Sequence, residues 1–239
     1  MIILCGLVAA GCAACSREIQ PAGERNISEG QVRVVMPVQA GQMACVTRAA
    51  DEDTVNDLNV YLFDAYSREL VQHSYLTSME LEFNCVPGNY ELYVLANAYA
   101  DLGELQYAQV TDRTVNFMVG LRSLPMSAMR ELQIEQQPGN RVMLPPLELE
   151  RDMAKVTYSI YAAPAMKGME IVSLQVCNIP RRGAVFGDTA PSTQEDEYVS
   201  SNRSIVMDGQ GRYTDELYMP QNCQGIVASV TDQRLKDAD

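Results

Sequence analysis

The sequence predicts an all-β protein built from two β-sandwiches. Short stretches in which apolar and polar residues alternate recur along the chain, and turn residues separate them, as is typical of sandwiches. The stretch 56–63, NDLNVYLF, shows this period-two pattern most clearly. Helical patterns are few, and only 101–107 and 123–132 are expected to form short helices.

The expected strands follow one another at short intervals. A turn is predicted at 86–89, VPGN, because proline fixes φ and glycine accepts the positive φ that tight turns need. Extended segments are expected, in chain order, at 31–40, 56–63, 80–83, 90–96, 142–149, 155–162 and 169–177.

The first residues have the form of a bacterial lipoprotein leader. The run 1–14, MIILCGLVAAGCAA, is apolar and uncharged, and it ends in small residues next to cysteines. It is shorter than the roughly 20 apolar residues of a membrane-spanning helix. Although no Lys or Arg precedes it, we interpret 1–12 as a signal peptide and 13–30 as a flexible tether. A buried N-terminal strand or helix is the alternative.

Two cysteines compete for the lipid. Cys12 follows three small residues, which a lipoprotein peptidase accepts, and it is the preferred site. Cys15 is the alternative, because the polar residues directly after it make a natural start for a mature chain. At either position a thioether-linked lipid anchors the protein to a membrane leaflet.

Charge and cysteine usage exclude several classes of function. The formal net charge is −13, from 31 acidic and 18 basic residues, so phosphate repulsion argues against nucleic-acid binding. Four cysteines follow the leader, without a CxxC pair, and His73 is the sole histidine. No zinc site or other cofactor is therefore expected. Four buried or half-buried thiols are slightly preferred over two disulfides at Cys45, Cys85, Cys177 and Cys223.

No catalytic motif is found, so the chain is not expected to be an enzyme. GxSxG, HExxH and P-loop patterns are absent, and His73 is expected on the solvent face of a strand. The acidic run 195–197 lacks calcium-loop spacing and is interpreted as a solvated loop. Four tyrosines at strand spacing either stack on a sugar or, more often, cover a core edge: Tyr90, Tyr93, Tyr158 and Tyr161.

A domain boundary is predicted near 145–152. Two prolines interrupt an extended segment there, a charged stretch follows, and new extended segments then begin. The chain is accordingly divided into a sandwich at 31–149 and a second one at 150–239. The second is expected to be incomplete, because 183–202 is rich in loop residues and the sequence stops without a closing strand.

Taken in order, these segments resemble the fimbrillin family, the subunits of protease-assembled (type V) pili of anaerobic Gram-negative bacteria. A further strand normally follows the last segment in that family, which implies that this sequence is truncated at its C-terminus. The segments are the lipoprotein cysteine and tether, the strand at 32–38, the Arg48-Ala49 pair, LNVYLFD at 58–64, PGNYELYVLAN at 87–97, LELERDMAKVTYSIY at 147–161, NIP at 178–180 and LYMPQNCQG at 217–225.

The resemblance implies two transthyretin-like β-sandwiches in tandem and a mechanism of assembly. Family members reach the outer membrane as lipoproteins, and a protease, often arginine-specific, cuts after the first strand. A strand from the next subunit then fills the exposed groove. The implied partners are other pilus subunits, the outer membrane through the lipid, and a ligand on a host or bacterial surface.

The cut is expected between Arg48 and Ala49. The pair follows the first predicted strand and precedes the acidic run 51–53, where an exposed linker is expected. Two alternatives stay open: Arg48 is an ordinary surface residue, or the chain is an uncut anchor. The predicted function is a structural and adhesive fimbrial subunit or anchor. A monomeric surface lipoprotein that binds glycan or host protein is the alternative.

Overall fold

Strands dominate the protein, as the sequence predicts. The computed structural model describes residues 30–41, 54–116, 123–161, 171–187 and 198–220. Within these ranges one short helix occurs, α1 (Tyr107–Thr111), and it is too short to cross a membrane. The strands are β1 (Val32–Ala40), β2 (Leu58–Asp64), β3 (Leu70–Leu76), β4 (Glu80–Cys85), β5 (Gly88–Ala96), β6 (Thr114–Asn116), β7 (Met126–Ile134), β8 (Arg141–Met143), β9 (Leu147–Arg151), β10 (Met153–Tyr161), β11 (Ser173–Pro180), β12 (Arg182–Ala184), β13 (Tyr198–Ser204) and β14 (Arg212–Pro220).

One large sheet contains β1 to β5 and β7 to β9. Its strand order is β3-β2-β5-β7-β9-β1-β4, with β8 paired to β1 off this path. Buried residues from distant strands of the sheet, such as Val34, Leu62, Leu92 and Leu149, belong to one apolar cluster. The sheet therefore curls into a sandwich around a common core.

The outer face of β2 and β5 carries a second, aromatic cluster. Tyr61, Phe63 and Tyr93 are at most 4% exposed, and they pack against Val110 of α1. The Phe63 ring meets the Tyr107 ring edge to face, with centroids 5.3 Å apart. Because the core covers one face of β2 and this cluster covers the other, β2 is buried on both sides.

The two predicted helices are wrong in position or type. The helix begins at Tyr107, where the predicted helix ends, and 123–132 contributes instead to β7. All nine residues of β7 pair with β5. Its Met, Ala, Arg, Glu and Leu residues have good local helix propensity, but sheet pairing and core burial override that preference.

Other local predictions are also corrected. The strand expected at 142–149 is two strands, β8 and β9, and β3 was predicted only as the strand that carries His73, without bounds. The His73 side chain is only 9% exposed and stacks on the Tyr61 ring, with centroids 4.7 Å apart, so it does not lie on a solvent face. Among the described cysteines Cys85 is buried, as expected, whereas Cys177 is exposed although a buried or half-buried thiol was expected.

After β9 the described strands form three small two-stranded sheets. β10 pairs with β14, β11 pairs with β13, and β12 pairs back with β6. The predicted division between 31–149 and 150–239 stays a prediction, and β9 of the large sheet continues to Arg151.

A buried polar network fixes the chain where it enters β2. The Asn97 side chain donates to the carbonyls of Thr54 and Leu124 at 3.0 and 2.6 Å, and its oxygen accepts from the Asn56 N–H. Asn97 itself has φ +62°, a conformation that asparagine tolerates well. The Asp57 carboxylate accepts two backbone N–H groups just after Asn97. These bonds tie the start of β2 to the end of β5.

A buried carboxylate links β7 to the start of β10. Asp152 is 7% exposed, and it accepts a hydrogen bond from the Ser127 hydroxyl. Burial raises the pKa of Asp152 from 3.8 to about 7, a rise that the Ser127 bond opposes and nearby Glu150 increases. The Ser127 oxygen also lies 3.2 Å from the Val185 carbonyl, a second acceptor for the same proton. A protonated Asp152 satisfies both acceptors, since it donates to Ser127 while Ser127 donates to Val185.

Replacing Asn97 by alanine should lower the free energy of unfolding by about 2–3 kcal/mol, because one buried and two part-buried hydrogen bonds and a tolerated positive φ are lost. Asn97→Gly keeps the conformation and loses only the bonds, so it should fall between. Asn140→Ala is the control, since Asn140 has φ +53° but is exposed. Urea unfolding measures all three, and equal losses for Asn97→Ala and Asn140→Ala would contradict a structural role for the network.

Asp152→Asn should change how stability depends on pH. Between pH 4 and about 7 the folded protein keeps a proton on Asp152 that the unfolded chain releases, so stability falls as pH rises. The variant lacks this slope and should gain on the order of 2–4 kcal/mol over the parent protein from pH 4 to pH 8. Urea unfolding across this range tests it, with Glu135→Gln as the control, since Glu135 is exposed and does not act on Asp152. Parallel curves for Asp152→Asn and the parent would refute the raised pKa.

Candidate functional site

The first strand, β1, has an unusual place in the sheet. It lies between β4 on one side and β8 and β9 on the other, and all three partners come later in the sequence. Its neighbour in sequence, β2, is not a pairing partner. The long connection 41–57 therefore joins β1 to the rest of the chain without a hairpin.

The backbone of β1 is hydrogen-bonded along both edges. It runs antiparallel to β4 from Val32 to Pro37, and parallel to β8 and then to β9. The ladder continues past its last residue, since the Gly41 N–H donates to the Leu149 carbonyl at 2.7 Å. Without β1, the facing edges of β4, β8 and β9 would lose these partners.

The inward face of β1 completes the main core. Val32, Val34, Met36 and Val38 are between 0 and 5% exposed, and all four belong to the main apolar cluster, with Ala40 packed against it. Burial of each such side chain contributes roughly 1.5–3 kcal/mol. The strands around β1 thus form an apolar groove, which we call the β1 groove, and β1 fills it.

The outward face of β1 carries polar contacts near each end, and Val35 between them is buried. Arg33 forms a 2.7 Å ion pair with Glu82 on β4, and the Gln39 amide donates to the Glu148 carboxylate on β9 at 3.1 Å. Exposed pairs of this kind contribute little stability. They favour one register of β1, because each joins a given position of β1 to a given position of a neighbouring strand.

The predicted modification sites lie outside the described residues. Cys12 and Cys15 precede Gly30, and Arg48 and Ala49 fall between Gly41 and Thr54, where the described chain is interrupted. The structure therefore tests neither the lipidation site nor the cut.

Sequence reasoning missed several residues that shape this region. The Asp57 and Asn97 pair was quoted only as part of longer segments, although buried Asp and Asn at strand ends often bind loop backbone. Gly41 was assigned no role. Its position directly after a strand was the available signal, since glycine permits close approach of another backbone.

The predicted tyrosine surface is not formed by β5. Tyr90 belongs to the main core and Tyr93 to the outer aromatic cluster, on opposite faces of the strand. Burial raises the pKa of the Tyr90 hydroxyl to about 12. Core packing, the second of the two interpretations, accounts for both residues. In the described ranges no three His, Cys, Asp or Glu side chains are placed to hold a metal ion.

Comparison with known proteins gives a family and a fold. The family model of the major fimbrial subunit protein (FimA) matches residues 31–151. No curated protein matches the chain.

Three solved structures illustrate the likeness of fold. The tip fimbrial protein Mfa3 of Porphyromonas gingivalis, with C-terminal truncation, is 16% identical with a TM-score of 0.57, over 84% of this chain and 75% of that one. A candidate cell adhesion protein of Parabacteroides distasonis is 16% identical with a TM-score of 0.58, over 82% and 72%. The fimbrilin FimA of Porphyromonas gingivalis is 14% identical with a TM-score of 0.50, over 67% and 53%.

Gly41→Ala should loosen the end of β1. A Cβ at this position would lie 2.8 Å from the Leu149 carbonyl oxygen, the acceptor of the Gly41 N–H, so one of the two strands must shift. A loss of roughly 1–3 kcal/mol in the free energy of unfolding is expected. Gly209→Ala is the control, because a Cβ there meets no atom within 4 Å. Equal urea unfolding curves for the two variants would contradict the close approach of β1 to β9.

Proposed function

We propose that this chain, which belongs to the family of the major fimbrial subunit protein (FimA), is an adhesive subunit or an anchor assembled by strand exchange. The matched region contains β1 to β9 and therefore the whole large sheet. Fimbrial subunits are structural proteins of the cell surface, so the chain has a structural role in a surface fimbrium rather than an enzymatic one.

Export is proposed to proceed through a lipid anchor. The apolar leader and its small residues before Cys12 support lipidation at that residue, with Cys15 as the alternative. The modified cysteine then holds the protein at the outer membrane, and 13–30 serves as the tether.

Assembly is proposed to begin with a cut after Arg48. This residue lies between the end of β1 and the start of β2, so the cut separates β1 from the rest of the chain without dividing another described strand. Ala49 would become the new first residue, and β1 would stay in its groove through non-covalent contacts alone.

The single observation that supports strand exchange is the fit of β1 in its groove. Because β1 pairs along both edges and buries five apolar side chains, four of them in the main core, its departure exposes unpaired backbone groups and an apolar trough together. A strand from another subunit satisfies both at once. Ligands on a host or bacterial surface are proposed as further partners of the assembled fimbria.

The cut and its consequence can be tested on purified protein with an arginine-specific protease. We expect a new N-terminus at Ala49, measured by intact mass and N-terminal sequencing, followed by oligomers that resist mild detergent. Arg48→Ala should abolish both results. Arg25→Ala is the matched control and should leave both unchanged, since a cut there removes only tether residues. Oligomers from Arg48→Ala, or a stable cut monomer that never exchanges β1, would contradict the proposal.

A further inference from the structure

An arginine occupies a core-facing position on β7. Arg130 pairs with Leu92 on β5, and residues directly opposite in an antiparallel pair share a face of the sheet. Leu92 is fully buried in the main core, which also contains Ala128 and Leu132, the same-face neighbours of Arg130 along β7, whereas Arg130 itself is half-buried. At this position the alternation of β7 predicts an apolar residue, so a charged side chain is unexpected there.

The Arg130 guanidinium bridges to the two prolines between β8 and β9. One nitrogen donates to the Pro145 carbonyl at 2.9 Å and the other to the Pro146 carbonyl at 2.7 Å. Hydrogen bonds from a charged donor are stronger than neutral ones, and the planar fork suits two adjacent acceptors. The same guanidinium lies 3.6 Å from the sulfur of Met36 on β1.

This contact falls where β1 changes partners. β1 pairs with β8 up to Val35 and with β9 from Val38, and Met36 lies between these two ladders. The interrupting prolines lie between the same two partner strands. Arg130 therefore lies at the floor of the β1 groove, next to the two-residue gap at Met36 and Pro37 where backbone pairing on that side is interrupted.

The local chemistry favours a restricted set of side chains above Arg130. A thioether is a weak acceptor on a long, unbranched chain, so Met36 reaches the guanidinium while staying fully buried. A glutamine at this position would also offer an acceptor. A lysine of similar length would place a second cation against the first at the fully buried position of Met36.

We propose that Arg130 is a specificity-determining residue of the β1 groove. It sets the register of the occupying strand by requiring, at the position of Met36, a long side chain with an acceptor atom and no positive charge. The inference rests on the proposed function when the occupant is a strand of another subunit. Its contact with Met36 belongs to the intact chain and can be tested separately.

The first test uses the uncut chain and needs no strand exchange. Met36→Gln should melt at least about 5 °C higher than Met36→Lys, because only lysine opposes the guanidinium. In an Arg130→Met background, which keeps a long side chain, this difference should shrink to the cost of burying the lysine alone. The same difference with and without Arg130 would overturn the proposal.

The second test covers the case in which a Met36 variant does not fold. Synthetic peptides spanning 31–41 compete for the groove of the protein cut after Arg48, with a fluorescent parent peptide as the probe. In the peptide, Met36→Gln should weaken competition less than about threefold, and Met36→Lys more than about tenfold. A peptide in which Val34 and Met36 are exchanged should also lose more than about tenfold.

Protein carrying Arg130→Met should distinguish the Met36→Gln and Met36→Lys peptides less strongly than the parent protein does. Equal discrimination by this variant would overturn the role of Arg130. Failure of the parent peptide to bind at all would instead overturn strand exchange, while the melting comparison still decides whether Arg130 selects the residue above it.

Discussion

The structure depends on the insertion of β1 between β4 and the pair β8 and β9. This strand links β4 to the rest of the sheet path, and its inward valines and methionine belong to the same core cluster as side chains of β2, β4, β5, β7, β8 and β9. Its partners come from distant parts of the chain, so β1 supplies long-range contacts that local hairpins do not. β1 is therefore part of the core, although it is the first of the described strands in the sequence.

Strand exchange requires that such a component also be replaceable. Two features of this molecule allow β1 to be both part of the core and replaceable. The outward polar contacts of Arg33 and Gln39 are exposed and contribute little stability, while the inward contacts are of a kind that another apolar strand can reproduce. The Asp57 and Asn97 network holds the beginning of β2 independently of β1. A cut before β2 would thus leave the rest of the large sheet tied at this corner.

The sequence predicted the class of fold well because alternation is a local signal. β1, β2 and β5 were identified from it, whereas β7 was mistaken for a helix because its residues have helical propensity and its strand state depends on pairing with β5. The burial of β2 on both faces was not predicted, because α1, which packs on its outer face, lies far along the chain. Arg130 could not be recognised in advance, because its meaning appears only when β7, the two prolines and Met36 are brought together. The residues named for lipidation and cleavage came from motif and family likeness, and they remain predictions.

The most direct measurement of the central claim is the N-terminus of this chain in fimbriae taken from the native cell surface. Intact mass and N-terminal sequencing should give a chain that begins at Ala49, without β1, inside assemblies that survive detergent. This result would show that another strand occupies the β1 groove in the assembled state. A chain in the same assemblies that begins at a lipidated Cys12 or Cys15 and still carries β1 would contradict the account.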